Sequence, residues 1–244
     1  MIDVKGKWCF ITGASRGVGR QIALYMAERG ANLILHSRSL SHTEKVLGEI
    51  ARFGIEAFAV QAELSKHEEL EAMLAEIDAS GKNVDIVFND AGAQVAYRNE
   101  YFKTPAQDFS QNFLINTIAP AMICYHFIPP MIQRGFGRVI NTTSGIRNEP
   151  QMAGYSASKA ALDKFTTDLA SVLNGSDVCL NLVDPGWLRT DMGGPHAPVP
   201  VESSLPGMLV GAFITDKKSG RLFQAQRFSG MTLEQAVREA ENNG

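Results

Sequence analysis

"KWCFITGASRGVGRQIALYMAERGANLILHSRS" occupies residues 7–39. Its first part, residues 7–13, is a short apolar run that stops at glycine. Ile22, Tyr25, Met26 and Ala27 then fall at helical intervals, and Gly30 closes the pattern. A second apolar run follows over residues 31–37. The stretch therefore reads as strand, glycine-rich turn, helix, strand. Because the strands are continuous apolar runs, with no polar face, they are expected to be buried on both sides, as strands of a parallel sheet are.

The alternation continues along the chain. A helix is predicted over about 40–53, a strand at 56–61 and a helix at 66–80, where Leu70, Met73, Leu74 and Ile77 make one apolar stripe. After them come a strand at 84–89, a long helix over about 107–134 with a kink at Pro120, and a strand at 137–143. A helix over about 156–173 leads to a strand at 178–184, and a last short strand is predicted near "GRLFQAQ". Strands alternating with helices imply right-handed crossovers. The expected fold is α/β: a doubly wound parallel sheet (Rossmann fold) of about seven strands with helices on both faces, making three layers. No linker or repeat divides the chain, so residues 1–244 are expected to form a single dinucleotide-binding and catalytic domain. Residues 186–210, rich in Gly and Pro, are read as a substrate-binding loop. The tail, 231–244, is expected to be a short and mostly polar helix.

The chain's 244 residues are 45% hydrophobic and 20% charged, with a net charge of -3. A broad nucleic-acid or anionic-membrane surface needs clustered positive charge, and no such block occurs. Three cysteines, Cys9, Cys124 and Cys179, lie in apolar runs and read as buried free thiols. The five histidines lack metal-ligand spacing, so no metal is implied. The most apolar later run is broken by His126 and prolines, short of a membrane span. With no signal-peptide core near residue 1, the protein is expected to be cytoplasmic.

Chemistry concentrates at two places. In "TGASRGVG", residues 12–19, Gly13, Gly17 and Gly19 sit at the first strand-to-helix turn. Glycine lets the chain turn tightly and lets a pyrophosphate approach the backbone, and the helix N-terminus adds free N–H groups. The second strand ends in Ser37 and Arg38, with no acid to accept a ribose 2′-OH. Arg38, with Arg16 from the glycine turn, suits a 2′-phosphate, so NADP(H) is favoured over NAD(H). The second place is "TTSGIRNEPQMAGYSASK", residues 142–159. Tyr155 and Lys159, at i and i+4, share a helix face, so the ammonium is expected to stabilise a phenolate. Lowering the phenol by about three units corresponds to roughly 4 kcal/mol. Tyr155 is then the proton donor to a carbonyl oxygen, and Ser144 holds that oxygen as charge develops.

In their order and spacing, "TGASRGVG", "NDAG" at 89–92, Asn116, Ser144, "YSASK" at 155–159 and "DPGWLRTDM" at 184–192 resemble the short-chain dehydrogenase/reductase family over residues 5–192. The resemblance implies a catalytic set of Asn116, Ser144, Tyr155 and Lys159, with Lys159 also on the nicotinamide ribose and Asn116 placing a water that links Lys159 to solvent. It implies cofactor contacts from Gly13, Ser15, Arg16, Gly17, Val18, Gly19, Ser37, Arg38, Glu63, Leu64, Asn89, Ala91, Gly92, Tyr155, Lys159, Pro185, Gly186, Leu188 and Thr190. A homodimer or homotetramer is also implied.

The chain departs from the family in three ways. Asp90 stands where a second Asn is common. Ser144 and Tyr155 are eleven apart instead of thirteen, so Thr142 or Thr143 are alternative hydroxyls, with Ser144 favoured by its place three residues after Asn141. The final strand lacks the family's Gly-rich turn. Tyr97, Phe102, Met152, Trp187, Met192 and His196 are candidates to line a pocket for a small to medium hydrophobic ketone or aldehyde. The function expected is an NADPH-dependent carbonyl reductase or secondary-alcohol dehydrogenase. The alternatives are an NAD-linked alcohol dehydrogenase and a catalytically silent dinucleotide sensor.

Overall fold

The computed structural model describes residues 1–173 and 175–242. In chain order its elements are β1 (Trp8–Ile11), α1 (Gly17–Glu28), β2 (Asn32–Ser37), α2 (Glu44–Ile50), β3 (Ala57–Gln61), α3 (His67–Ala79), β4 (Val84–Asn89), α4 (Ala106–Phe113), α5 (Ala119–Arg134), β5 (Gly137–Thr142), α6 (Ala153–Ser171), β6 (Val178–Asp184), β7 (Leu188–Arg189), β8 (Val199–Pro200), α7 (Val210–Phe213), β9 (Leu222–Gln224) and α8 (Leu233–Asn242).

Seven strands form one sheet in the order β3-β2-β1-β4-β5-β6-β9, and every pairing in it is parallel. All four residues of β1 are buried. Trp8 and Phe10 point into one apolar layer, with α3 and α5. Cys9 and Ile11 point into the other, with α1, α2, α7 and α8. This is the doubly wound α/β arrangement that the unbroken apolar strands require. The chain leaves β3 at one edge and crosses to β4 on the other side of β1, so the loops after β1 and β4 diverge and open a crevice at the sheet's carboxyl end. The cysteines are free and buried.

Several boundaries differ from the sequence reading. The predicted helix at 40–53 is three short pieces, with α2 flanked by 3-10 turns at Leu40–His42 and Ala51–Phe53. The long helix runs on through Pro120. It widens just before it, into a π-helical turn at Leu114–Ile118. Pro120 has no N–H to give the carbonyl of Asn116, four residues back, and the π turn accommodates that loss.

Pro129 and Pro130 do not break α5 either. The carbonyls they deprive, on Tyr125 and His126, lie on the outer side of the helix, where Tyr125 is exposed and water can serve. The continuous helical stretch Ala106–Arg134 is therefore long and apolar enough to cross a membrane by length and composition. Its buried residues, among them Ile123, Phe127 and Met131, pack against the sheet, and Asp108, Asn112 and Asn116 on the same stretch are buried polar groups.

α6 begins three residues earlier than predicted, which places Tyr155 inside its first turn. The loop at 186–210 is partly ordered: Leu188 of β7 pairs with Val199 of β8, and 3-10 turns follow at Val201–Ser204 and Gly207–Leu209. The polar-looking tail is amphipathic. Leu233, Ala236, Val237 and Ala240, at i, i+3, i+4 and i+7, are buried in the core. Thr232 and Gln235 exchange side-chain and backbone hydrogen bonds at its start, forming a capping box.

Candidate active site

The glycine turn joins β1 to α1 at the crevice. Gly13 has φ +70, and a Cβ there would lie 2.9 Å from the Ala91 Cα. A Cβ on Gly19 would lie 2.4 Å from the Gly13 carbonyl oxygen. Both positions admit only glycine, and Gly17 (φ +57) opens the helix whose first amides face the crevice.

His36, which the sequence reading passed over except as a metal ligand, holds this turn from β2. Its Nδ1 accepts the Gly13 N–H at 3.3 Å, and its Nε2 lies 3.0 Å from the Ala62 carbonyl. That pattern assigns the neutral tautomer with the proton on Nε2. Burial pushes the imidazole below its ordinary value and keeps it neutral.

Other predicted cofactor residues surround the same crevice. Ser15 on the turn and Val18 in the first turn of α1 are half-buried. Ser37 is buried, and its hydroxyl donates to the Ser39 carbonyl at 2.6 Å. Arg38 is exposed at the end of β2. Arg16 forms an ion pair with Asp191 at 2.8 Å, so the glycine turn and the 186–210 loop meet there. Thr190 lies beside Gly17.

Glu63 accepts from the Ser65 hydroxyl at 3.1 Å, and Leu64 beside it is buried. Glu63 and Ser65 border a cavity of about 400 Å³ that Ala93, Arg98 and Ile115 also line. Asn89 donates to Asn141 at 2.8 Å, while its own Oδ1 is buried without a protein partner. Pro185 and Gly186 turn the chain out of β6, with the Pro185 carbonyl accepting from Gln226 at 2.9 Å. Leu188 is buried. Glycines that keep the turn tight against β4 and α1, with the start of α1 beside them, fit the pyrophosphate of a dinucleotide.

The second half of the site is built on β5 and α6. Ser144 lies near enough to Tyr155 to draw its phenol down, so the loop shortened by two residues leaves the two side chains in one neighbourhood. The alternative hydroxyls are engaged elsewhere: Thr142 Oγ1 donates to Asp90 at 3.0 Å, and Thr143 donates to Asp163. Lys159 is buried, and its ammonium donates to the Thr142 carbonyl at 2.7 Å. Burial pushes it down to about 8, against the opposing pull of Asp90, Asp163 and Asp184.

Tyr155 is pushed above its ordinary value, first by burial, with Asp184 and Asp90 adding to the effect and Ser144 opposing it. The sequence reading expected Lys159 to make this phenol more acidic. Instead, the ammonium bonds to the Thr142 carbonyl, and the charges that reach Tyr155 are carboxylates.

Asn116, in the π turn, is buried and fully engaged. It accepts the Ala93 N–H at 2.8 Å and donates to the Ala93 carbonyl at 2.8 Å and to Ser158 at 3.0 Å. Gly92 marks where the parts converge. A Cβ on it would lie 3.5 Å from Asn116 Oδ1, 3.7 Å from Met192 Cε and 3.8 Å from Lys159 Nζ. Among the pocket candidates, Met192 thus reaches the site. Phe102 does not, being 95% exposed with its ring tilted against that of Tyr101. Tyr97, Trp187 and His196 are exposed, and Met152 is half-buried at the start of α6. Asp90, Asp163 and Asp184 around Lys159 were not assigned roles from sequence, because only the meeting of β4, β6 and α6 makes them neighbours.

Comparison with known proteins agrees with this geometry. The family model described as short chain dehydrogenase matches residues 7–198. The chain is 32% identical over 210 residues to the hydroxynaphthalene reductase-like protein Arp2 of Metarhizium anisopliae, covering 84% of this chain and 77% of that protein. It is 33% identical over 189 residues to the 3-oxoacyl-[acyl-carrier-protein] reductase FabG of Staphylococcus epidermidis, covering 76% of this chain and 77% of that protein. Among solved structures it resembles a metagenomic short-chain oxidoreductase in complex with NADP. There the TM-score is 0.70 at 29% identity, covering 76% of this chain and 84% of the other.

Proposed function

The chain belongs to the short-chain dehydrogenase/reductase family, NAD(P)-dependent oxidoreductases acting on CH–OH and C=O groups, and on that premise we propose that it is an NADPH-dependent carbonyl reductase for a hydrophobic ketone or aldehyde. The observation that supports this reading is the convergence of Asn116 and Lys159 around Gly92, with Tyr155 one helical turn from Lys159.

The bound nicotinamide supplies the hydride. Ser144 donates to the carbonyl oxygen and fixes it as negative charge grows, and Tyr155 transfers its proton to that oxygen. Lys159 holds the nicotinamide ribose. Asn116 supports the proton path to Lys159 through a water on its main-chain carbonyl, which Pro120 deprives of its α-helical donor. Arg38 reads the 2′-phosphate. Arg16 is the second candidate for that role and would have to leave Asp191 to reach it. Met192 supplies apolar surface where the substrate enters, in keeping with a reductase of apolar carbonyls.

We place the enzyme in the cytoplasm and expect a homodimer or homotetramer. The outer face of the long helical stretch supports association, because Phe109, Ile118 and Tyr125 are exposed along it. In a screen of carbonyl compounds followed by NADPH absorbance, Tyr155→Phe is expected to lower turnover by roughly 10³-fold or more while NADPH still binds. Retained turnover would refute the assignment. Arg38→Ala should weaken NADP(H) binding and leave NAD(H) binding unchanged.

A further inference from the structure

Asp90, half-buried, follows β4 and lies against the catalytic half of the site. Its carboxylate accepts from Thr142 Oγ1 at 3.0 Å and lies near the Gly19 amide in the first turn of α1. Its own N–H and that of Ala91 both donate to Thr12 Oγ1, at 3.0 Å each. Thr142 is the shared element: its hydroxyl serves Asp90, and its carbonyl accepts the Lys159 ammonium at 2.7 Å.

Three carboxylates act on Lys159, from three directions: Asp90 at the end of β4, Asp163 on α6 and Asp184 at the end of β6. The effect of Asp90 is the largest of the three. Asp163 is bonded to Thr143, and Asp184 accepts the Gly186 N–H at 3.0 Å. Tyr155, one helical turn from Lys159, feels Asp90 and Asp184 as well.

We propose that Asp90 is a positioning residue that keeps Lys159 charged, holding it through Thr142, and that it couples the glycine turn to the proton-transfer pair. The proposal rests on the reductase reading, in which charged Lys159 grips the nicotinamide ribose. An ammonium buried with only a carbonyl oxygen as its bonded partner loses its proton easily, and an adjacent carboxylate opposes that loss. With Lys159 already pushed down to about 8, removing the Asp90 charge would bring its titration toward neutrality. At an effective dielectric near 20, one unit charge within about 10 Å amounts to about one pH unit or more. Asparagine at 90 would conserve the shape and let the Thr142 hydroxyl turn to accept from the amide, so only the charge is lost.

The test is NADPH binding by nicotinamide fluorescence in Asp90→Asn and Thr142→Val, from pH 6 to 9.5, a readout that needs no turnover. Wild-type affinity should hold to about pH 8 and fall above it. In Asp90→Asn the fall should begin about one unit lower, and the basic limb of kcat/KM should move with it. Thr142→Val, which keeps the carbonyl that Lys159 uses, should shift in the same direction and provides the test if Asp90→Asn does not fold. A uniform loss of affinity with an unmoved midpoint, in either folded variant, makes Asp90 merely structural and overturns the proposal. Turnover surviving in Tyr155→Phe would instead overturn the reductase reading, which is a separate outcome.

Discussion

The same substitution, glycine to alanine inside a helix, should have opposite effects in α1 and α2. Intrinsic propensity favours alanine in a helix interior by about 1 kcal/mol. At Gly48, in α2, a Cβ meets nothing within 4 Å and the residue is exposed, so Gly48→Ala should stabilise the protein by roughly 0.5–1 kcal/mol. At Gly19 the new Cβ would lie 2.4 Å from the Gly13 oxygen and 3.1 Å from the Ala14 Cα. An ordinary contact needs about 1 Å more, and the obstacle is backbone, so the glycine turn must retreat from the helix. Overpacking of this kind costs about 1–3 kcal/mol, which exceeds the propensity gain.

Because the retreating segment is the phosphate cradle, NADPH affinity should fall more steeply than stability, by roughly 10²-fold for a displacement near 1 Å. Urea denaturation of both variants gives the first quantity, and fluorescence titration with NADPH gives the second. A Gly19→Ala protein as stable as wild type and with unchanged NADPH affinity would refute both the packing argument and the placement of the cofactor.

Three other outcomes are expected. Arg138 is wholly buried and bonds the Asp177 carboxylate at 2.7 Å, its carbonyl at 2.8 Å and the Ile214 carbonyl at 3.1 Å, so Arg138→Ala should cost about 3–5 kcal/mol in urea denaturation. Leu233→Ala should cost about 2–4 kcal/mol, because α8 is part of the core; a loss under 0.5 kcal/mol would mean that the tail is merely a surface helix. Lys159 has a folded-state pKa of about 8, below its unfolded value of 10.5, so its burial penalty is fully present below pH 8 and fades as pH rises toward 10.5. Lys159→Met should therefore stabilise the cofactor-free protein by up to about 3 kcal/mol at pH 7, with the gain shrinking by pH 10. A gain that is the same at both pH values would rule out the charge as its source.

What could be read from sequence followed from local physics. Unbroken apolar runs such as "CFI" in β1 have one solution, a strand covered on both faces, and alternation with helices then leaves the parallel doubly wound sheet. Gly13, Gly17 and Gly19 were legible because a tight turn and a close approach demand them, and Tyr155 and Lys159 because i and i+4 share a face. Helix limits were less legible. Pro120 announces a disturbance, but whether the helix bends or takes a π turn depends on what packs around Asn116. The tail looked polar because only four of its residues form the buried stripe, and that stripe acquires meaning only from the core it meets.

The sequence alone determined the layer architecture, the place of the phosphate turn and the spacing of the proton-transfer pair, since each depends on neighbours within a few residues. Tertiary structure decided that Thr142 and Thr143 are engaged by Asp90 and Asp163, that His36 braces the glycine turn, and that Asp90, Asp163 and Asp184 surround Lys159. Those groups lie on separate strands and helices, dozens of residues apart in the chain. Their electrostatic coupling falls with distance through a low-dielectric interior, and the fold alone sets those distances.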